Sequence, residues 1–188
     1  MKLDRNFSRT VSLVSLALAL AGCGTRGAQQ NDEPESEPAR SAANTIGLAT
    51  VTYGTTAQGL KLTPADDSCG IPARLKEGLV DNLEEPLTYV APEDEARKVG
   101  AKVLKLEITD LLANAGGIYG GPKMVELKGE LYAAGVRQAG FSARRQFFLY
   151  IGIPRSTCSM VGKVTGDLGG DMAKWLLKPV DGAFLGER

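Results

Sequence analysis

The chain has 188 residues, 22 Lys and Arg balanced by 22 Asp and Glu, and no histidine. A formal charge of zero argues against electrostatic capture of nucleic acid, which needs a basic footprint. The missing histidine removes Ser-His-Asp and Cys-His catalysis and the common zinc-enzyme ligand sets.

The first residues divide into three zones. Lys2, Arg5 and Arg9 make a basic start, diluted by Asp4, and Thr10 to Ala21 carries no charge. As a helix that run would rise about 18 Å at roughly 1.5 Å per residue, well short of a bilayer core of roughly 30 Å. Length and charge layout are those of a secretory signal peptide over residues 1–22. Its end, Leu20-Ala21-Gly22-Cys23, resembles the bacterial lipobox: an apolar residue, two small residues and a cysteine. The resemblance implies a diacylglyceryl group on the Cys23 sulfur, cleavage before Cys23, and acylation of the new amino terminus, commonly by palmitate. Several acyl chains anchor stably, because each buried CH₂ contributes about 0.8 kcal/mol. Position 24 is Gly rather than Asp. By resemblance to lipoprotein sorting in Gram-negative bacteria, this favours the outer membrane, facing the periplasm, over inner-membrane retention.

Residues 24–44 contain no large apolar side chain, and they cluster Asp32, Glu33, Glu35 and Glu37 around Pro34 and Pro38. Such a composition cannot bury enough surface to offset its ordering entropy, so residues 23–44 read as a lipidated cysteine and a disordered tether. Residues 45–188 are long enough for one domain with its own core, and they hold 17 basic and 17 acidic residues.

Three cysteines leave one unpaired in an exported protein. Lipidation of Cys23 removes that imbalance, and Cys69 and Cys158 are then the available pair in a disulfide-permissive compartment. Both are expected at helix starts, so two parallel helices lying side by side would bring them together. The alternative is two separate buried or reactive thiols.

In chain order, Ile46 to Tyr53 reads as a strand rich in β-branched residues. Leu75, Leu79 and Leu83 recur every four residues in a helix expected over about 69–84, with Asp66, Asp67 and Ser68 as N-cap candidates. "LTYVA" is a short extended piece and "PEDEARKVG" a brief helical turn. "AKVLKLEITDLL" and "KMVELKGELYAA" alternate apolar and polar as half-buried strands. Gly135 marks a turn, and "VRQAGFSARRQFF" returns as a hairpin partner. A last helix, capped by Ser156 or Thr157, runs to Lys178 and carries Gly162, Gly166, Gly169 and Gly170, which fit close packing better than a ligand groove. The expectation is an α+β two-layer sandwich, a mostly antiparallel sheet with two helices on one face.

No catalytic, metal or cofactor-binding residue stands out. The loop "NAGGIYGGPK", 114–123, lacks phosphate-loop spacing and leads into a strand. Gly116, Gly117, Tyr119, Gly120 and Gly121 are its candidate contact residues. Asp66-Asp67 and Glu84-Glu85 are explained by capping and solvation rather than by the two differently tuned environments of acid–base catalysis. Arg144 and Arg145 are neighbours on a strand and should point to opposite faces. Asp171 and Lys174 can pair on the surface of the last helix.

"GGIYGGPKMVELKGELYAAGVRQAGFSARR", followed by "TCSMVGKVTGDLGGDMAKWLLKP", resembles an uncharacterised family of bacterial lipoproteins. Its marks are a G-P-K strand hairpin, Gly121-Pro122-Lys123, and a helix that Cys158 opens and that closes with Asp171, Ala173, Trp175 and Leu176. The topology is similar to the N-terminal domain of the Tol–Pal translocation protein and to the curli secretion lipoprotein, a fold-level likeness that carries no activity. The expected function is a non-enzymatic interaction or assembly module of the cell envelope. It would be held at the membrane through Cys23 and would engage an envelope protein through an exposed sheet face or edge strand. The alternatives are a small-ligand or glycan-binding module using loop 114–123 and a hydrolase using carboxylates alone.

Overall fold

The structure is a computed structural model that describes residues 41–113, 121–148 and 156–187. The expected signal peptide, Cys23 and most of the expected tether lie outside the described residues. In chain order the elements are β1 (Thr45–Leu48), β2 (Thr52–Tyr53), α1 (Ile71–Asp81), β3 (Tyr89–Pro92), α2 (Glu93–Lys98), β4 (Lys102–Leu112), β5 (Lys123–Ala133), β6 (Val136–Phe147), α3 (Thr157–Leu177) and β7 (Ala183–Gly186). The sheet order is β3-β1-β4-β5-β6-β7, and β2 also pairs with β4.

The three long strands form the antiparallel centre that their alternation implies. Leu104 stands opposite Leu131, Ile108 opposite Leu127, and Lys105 opposite Glu130. Ala134 and Gly135, at φ 48° and 81°, form the two-residue turn between β5 and β6, where positive φ at both positions matches the twist of the strands.

The expectation of a mostly antiparallel sheet is corrected: the sheet is mixed. β1 runs parallel to β3 and β4, β2 to β4, and β7 to β6. A hairpin reverses direction, whereas a helical crossover returns the chain to the same end. Here α1 lies between β2 and β3, α2 between β3 and β4, and α3 between β6 and β7. The parallel strands are only two to four residues long, too short for alternation to show.

The placement of helices on one face is also incomplete. α1 and α3 do share a face and cover one core with Ile46, Leu104, Leu106, Ile108, Leu127 and Leu131. The intervening positions point the other way. There Ala96 of α2 packs with Val103 in a second small cluster, and a Cβ on Gly47 would meet the Ala96 Cβ at 2.5 Å. The sandwich therefore gains a third layer at one end.

The two long helices are parallel and in backbone contact. Arg74 lies by Gly162, Gly78 by Thr165 and Gly169, and Asn82 by Gly170, so numbers rise together along both. A Cβ on Gly169 would sit 2.1 Å from the Gly78 carbonyl carbon, and one on Gly78 would sit 2.8 Å from the Thr165 carbonyl oxygen. The close approach requires glycine at both. A Cβ on Gly166 would meet nothing within 4 Å. At the starting ends a disulfide joins Cys69 to Cys158, with Cα atoms 5.1 Å apart.

The helix starts are held by side chains of different origin. Asp67 accepts from the Ile71 N–H at 2.6 Å and the Cys69 N–H at 3.0 Å, and Gly70, at φ 68°, turns the chain into α1. Tyr53 on β2 donates its hydroxyl to the same Asp67 carboxylate at 2.8 Å. Burial, reinforced by that carboxylate, pushes the Tyr53 hydroxyl well above its ordinary pKa. Ser156 caps α3 by accepting from the Ser159 N–H. At the far end of α3, Trp175 stacks edge-on against Phe141, with centroids 4.7 Å apart, and donates Nε1–H to Val180.

Candidate docking surface

The sheet face away from α1 and α3 follows from strand alternation. β4 contributes Lys105 and Glu107, β5 contributes Glu126, Lys128, Glu130 and Tyr132, and β6 contributes Ser142 and Arg144. Three opposed pairs carry opposite charges: Lys105 faces Glu130, Glu107 faces Lys128, and Glu126 faces Arg144; past the β4 bulge Asp110 stands opposite Glu126 as a like-charged pair. The Lys105 Nζ also lies 4.7 Å from the centre of the Tyr132 ring. The face is a chequerboard of charge rather than a contiguous apolar patch. Cross-strand pairs of this kind contribute fractions of a kcal/mol each, so they keep the face soluble without fixing the fold.

At the outer edge the charges become specific. Arg137 donates Nε–H to Glu130 at 3.1 Å and Nη2–H to Asp181 at 2.8 Å. Its guanidinium occupies the space over Gly140, where a Cβ would come within 2.5 Å of Nη2. Asp181 also accepts from the Gly140 N–H at 2.8 Å, and Tyr132 donates to Glu130 at 2.7 Å. The Tyr132 hydroxyl bond, with Arg137 adding to it, lowers the Glu130 pKa. Arg137 and the Gly140 N–H lower that of Asp181. A shallow depression of about 250 Å³ over this cluster is bordered by Lys128, Ser142 and Gly182.

A second cluster lies on the helix side of the same edge. Arg145 makes a two-pronged bond to Asp171 of α3, at 2.8 and 3.0 Å, and reaches Glu187 at 3.3 Å. The Asp171 carboxylate raises the Arg145 pKa further above its ordinary value. Arg145 thus faces α3, whereas the neighbouring Arg144 stands on the open face. Asp171 is paired with Arg145 rather than with Lys174.

Together the clusters hold β7. Asp181 precedes it and Glu187 follows it. Gly182 N–H donates to Gly140 and Glu187 N–H to Arg144. β7 is the last strand in the sheet order, with no further strand beside it among the described residues. Because Gly182 turns its N–H towards β6, alternation turns those of Ala183 and Leu185 outward. Phe184 is exposed beside them.

The other sequence candidates fall as follows. Gly116, Gly117, Tyr119 and Gly120 lie outside the described residues; Gly121 is half-buried just before β5. Lys123, which opens β5, is 1% exposed, a burial its place in a G-P-K run did not signal. Asp66 folds back on Thr63 to close a capping box over the 3-10 turn Pro64–Asp66; Asp67 accepts from the Ile71 N–H, but the N-cap residue of α1 is Gly70 rather than Asp66, Asp67 or Ser68. This carboxylate pair has structural partners. β7 and its two ionic clips went unseen in the sequence, because "GAFLG" is too short for a periodicity and Arg137 and Asp181 are 44 residues apart.

No protein-family model matches the chain, and no curated protein matches its sequence. Solved structures similar to it in outline include three bacterial proteins. PelC of Paraburkholderia phytofirmans, a dodecamer, is 13% identical over 72% of this chain and 92% of its own, at a TM-score of 0.44. A Xanthomonas campestris protein of the DUF330 family is 11% identical over 75% and 88%, at 0.43. The lipoprotein GNA1162 of Neisseria meningitidis is 13% identical over 69% and 98%, at 0.39. No residue role passes from any of them to this chain.

Proposed function

We propose that the chain is a lipoprotein anchored through Cys23 at the outer membrane, facing the periplasm, and that it works as a non-enzymatic docking or assembly module. The outer edge of β7 is the contact strand. The observation that carries this reading is an edge strand fixed at both ends by Arg137–Asp181 and Arg145–Glu187. An ordered, unpaired edge is a template for strand addition, in which main-chain bonds give affinity and alternate side chains give selectivity. The fitting partner is an extended segment of another envelope protein, and the charged face beside β7 would select its side chains.

Affinity capture from crosslinked envelopes tests it. The wild type should retain a reproducible protein partner, and Leu185→Pro, which removes an outward N–H donor, should lose it while keeping its helical circular dichroism. Capture unchanged by Leu185→Pro, or no reproducible partner at all, would refute the reading. Mass spectrometry of the mature chain should find an acylated Cys23 as the first residue; an intact Met1 terminus would refute the anchor.

A further inference from the structure

We propose that a cavity at the end of the domain where the chain enters it binds a fatty acid, the hydrocarbon end inside and the carboxylate on Lys102. This goes beyond the docking reading, because the cavity lies off the β7 edge and uses other residues.

The cavity has a volume of about 240 Å³. Ile46 of β1, Leu87, Leu131 of β5 and Leu176 of α3 wall it, and the exposed Ala43 and Lys102 stand at its rim. It extends the apolar layer between the sheet and α3, since Ile46, Leu131 and Leu176 belong to the main core and Leu87 packs against it. Three of its walls come from elements fixed by the sheet and the helix pair, so the space is preformed. Its size equals about eight water molecules at roughly 30 Å³ each, smaller than the usual drug-sized site. That suits one unbranched chain rather than a ring system or a two-chain lipid.

The rim supplies the head-group chemistry. Among the described residues, Lys102 carries the one ionisable side chain of the lining, and no ion pair engages it. An apolar slot ending at one ammonium is complementary to a single-chain amphiphile with an anionic head. The Thr45 hydroxyl donates to Asn44 Oδ1 at 3.2 Å.

The test is titration calorimetry on the full mature chain carrying Cys23→Ser, in detergent-free buffer, with fatty acids from six to twelve carbons. Affinity should rise about threefold to fourfold per added CH₂ and level off near eight carbons, when the cavity is full. Lys102→Gln should weaken octanoate at least fivefold and leave 1-octanol unchanged. Ala43→Trp, at an exposed rim position where the fold has nothing to lose, should weaken both at least tenfold by filling the mouth. An affinity that climbs steadily to twelve carbons, or that survives Ala43→Trp, would overturn the proposal. So would equal binding of octanoate and octylammonium to the wild type. Each result is independent of partner capture through β7.

Discussion

The helix layer and the open sheet face are built on opposite principles. Between α1 and α3, backbone touches backbone at Gly78 and Gly169, a disulfide joins the helix starts, and both helices bury apolar side chains in the core beneath them. On the open face, Lys105, Glu107, Glu126, Lys128 and Arg144 alternate in sign across three strands with water on one side. Packing in the first region tolerates almost no added volume, because dense interiors transmit strain. Charge in the second tolerates substitution, because exposed pairs are screened and worth little. The fold is therefore specified on one face and free for recognition on the other.

The sharpest way to break this contrast is to remove the bridge. Cys69→Ser with Cys158→Ser frees a closure of 89 residues and should cost about 4 kcal/mol in denaturant melts. A loss under about 1 kcal/mol would mean that glycine packing alone sets the helix pair. Next, Gly169→Ala should cost about 2 kcal/mol, since its Cβ meets backbone rather than a movable side chain. Gly166→Ala, three residues earlier on the same helix but with open space for its Cβ, should stabilise by up to about 1 kcal/mol. The opposite signs are the prediction. Arg145→Met should cost about 1 to 2 kcal/mol by leaving Asp171, 17% exposed, without its two charge-assisted bonds.

Smaller effects belong to the open side. Glu130 and Asp181 have folded pKa values below their ordinary ones. Their contribution is therefore present above the unfolded carboxylate range and is lost as pH falls through the folded values, below about pH 4. Arg137→Gln should flatten the acid limb of the melting temperature against pH and leave the neutral value nearly unchanged. Lys128→Gln or Glu107→Gln should fall within about 0.5 kcal/mol of wild type.

Much of this architecture was legible in the chain. The alternation of Leu104, Leu106 and Ile108 and the turn at Gly135 located the central strands. The four-residue spacing of Leu75 and Leu79 located α1, and the Cys69–Cys158 pairing followed from residue count and helix starts. Parallel pairing was illegible because β1, β2, β3 and β7, at two to four residues, span at most two periods of alternation. Their direction is set by crossovers, which only tertiary packing fixes. The single continuous strand expected over Ile46 to Tyr53 breaks instead into β1 and β2. The β7 edge was hidden for a further reason: Arg137, Gly140 and Asp181 have no local pattern and are meaningful only when β6 and the turn before β7 meet. Gly78 was equally silent in sequence, since one glycine in a helix announces a contact only once its partner Gly169 lies against it.

In the proposed function the β7 edge, not the helix face, meets the partner. Site-specific photocrosslinking in living cells tests it most directly, with the probe at Phe184 on β7 and, separately, at Lys163 on the exposed side of α3. The expected result is a discrete protein adduct from Phe184 and none from Lys163. An adduct from Lys163 alone, or identical adduct patterns from both positions, would contradict it.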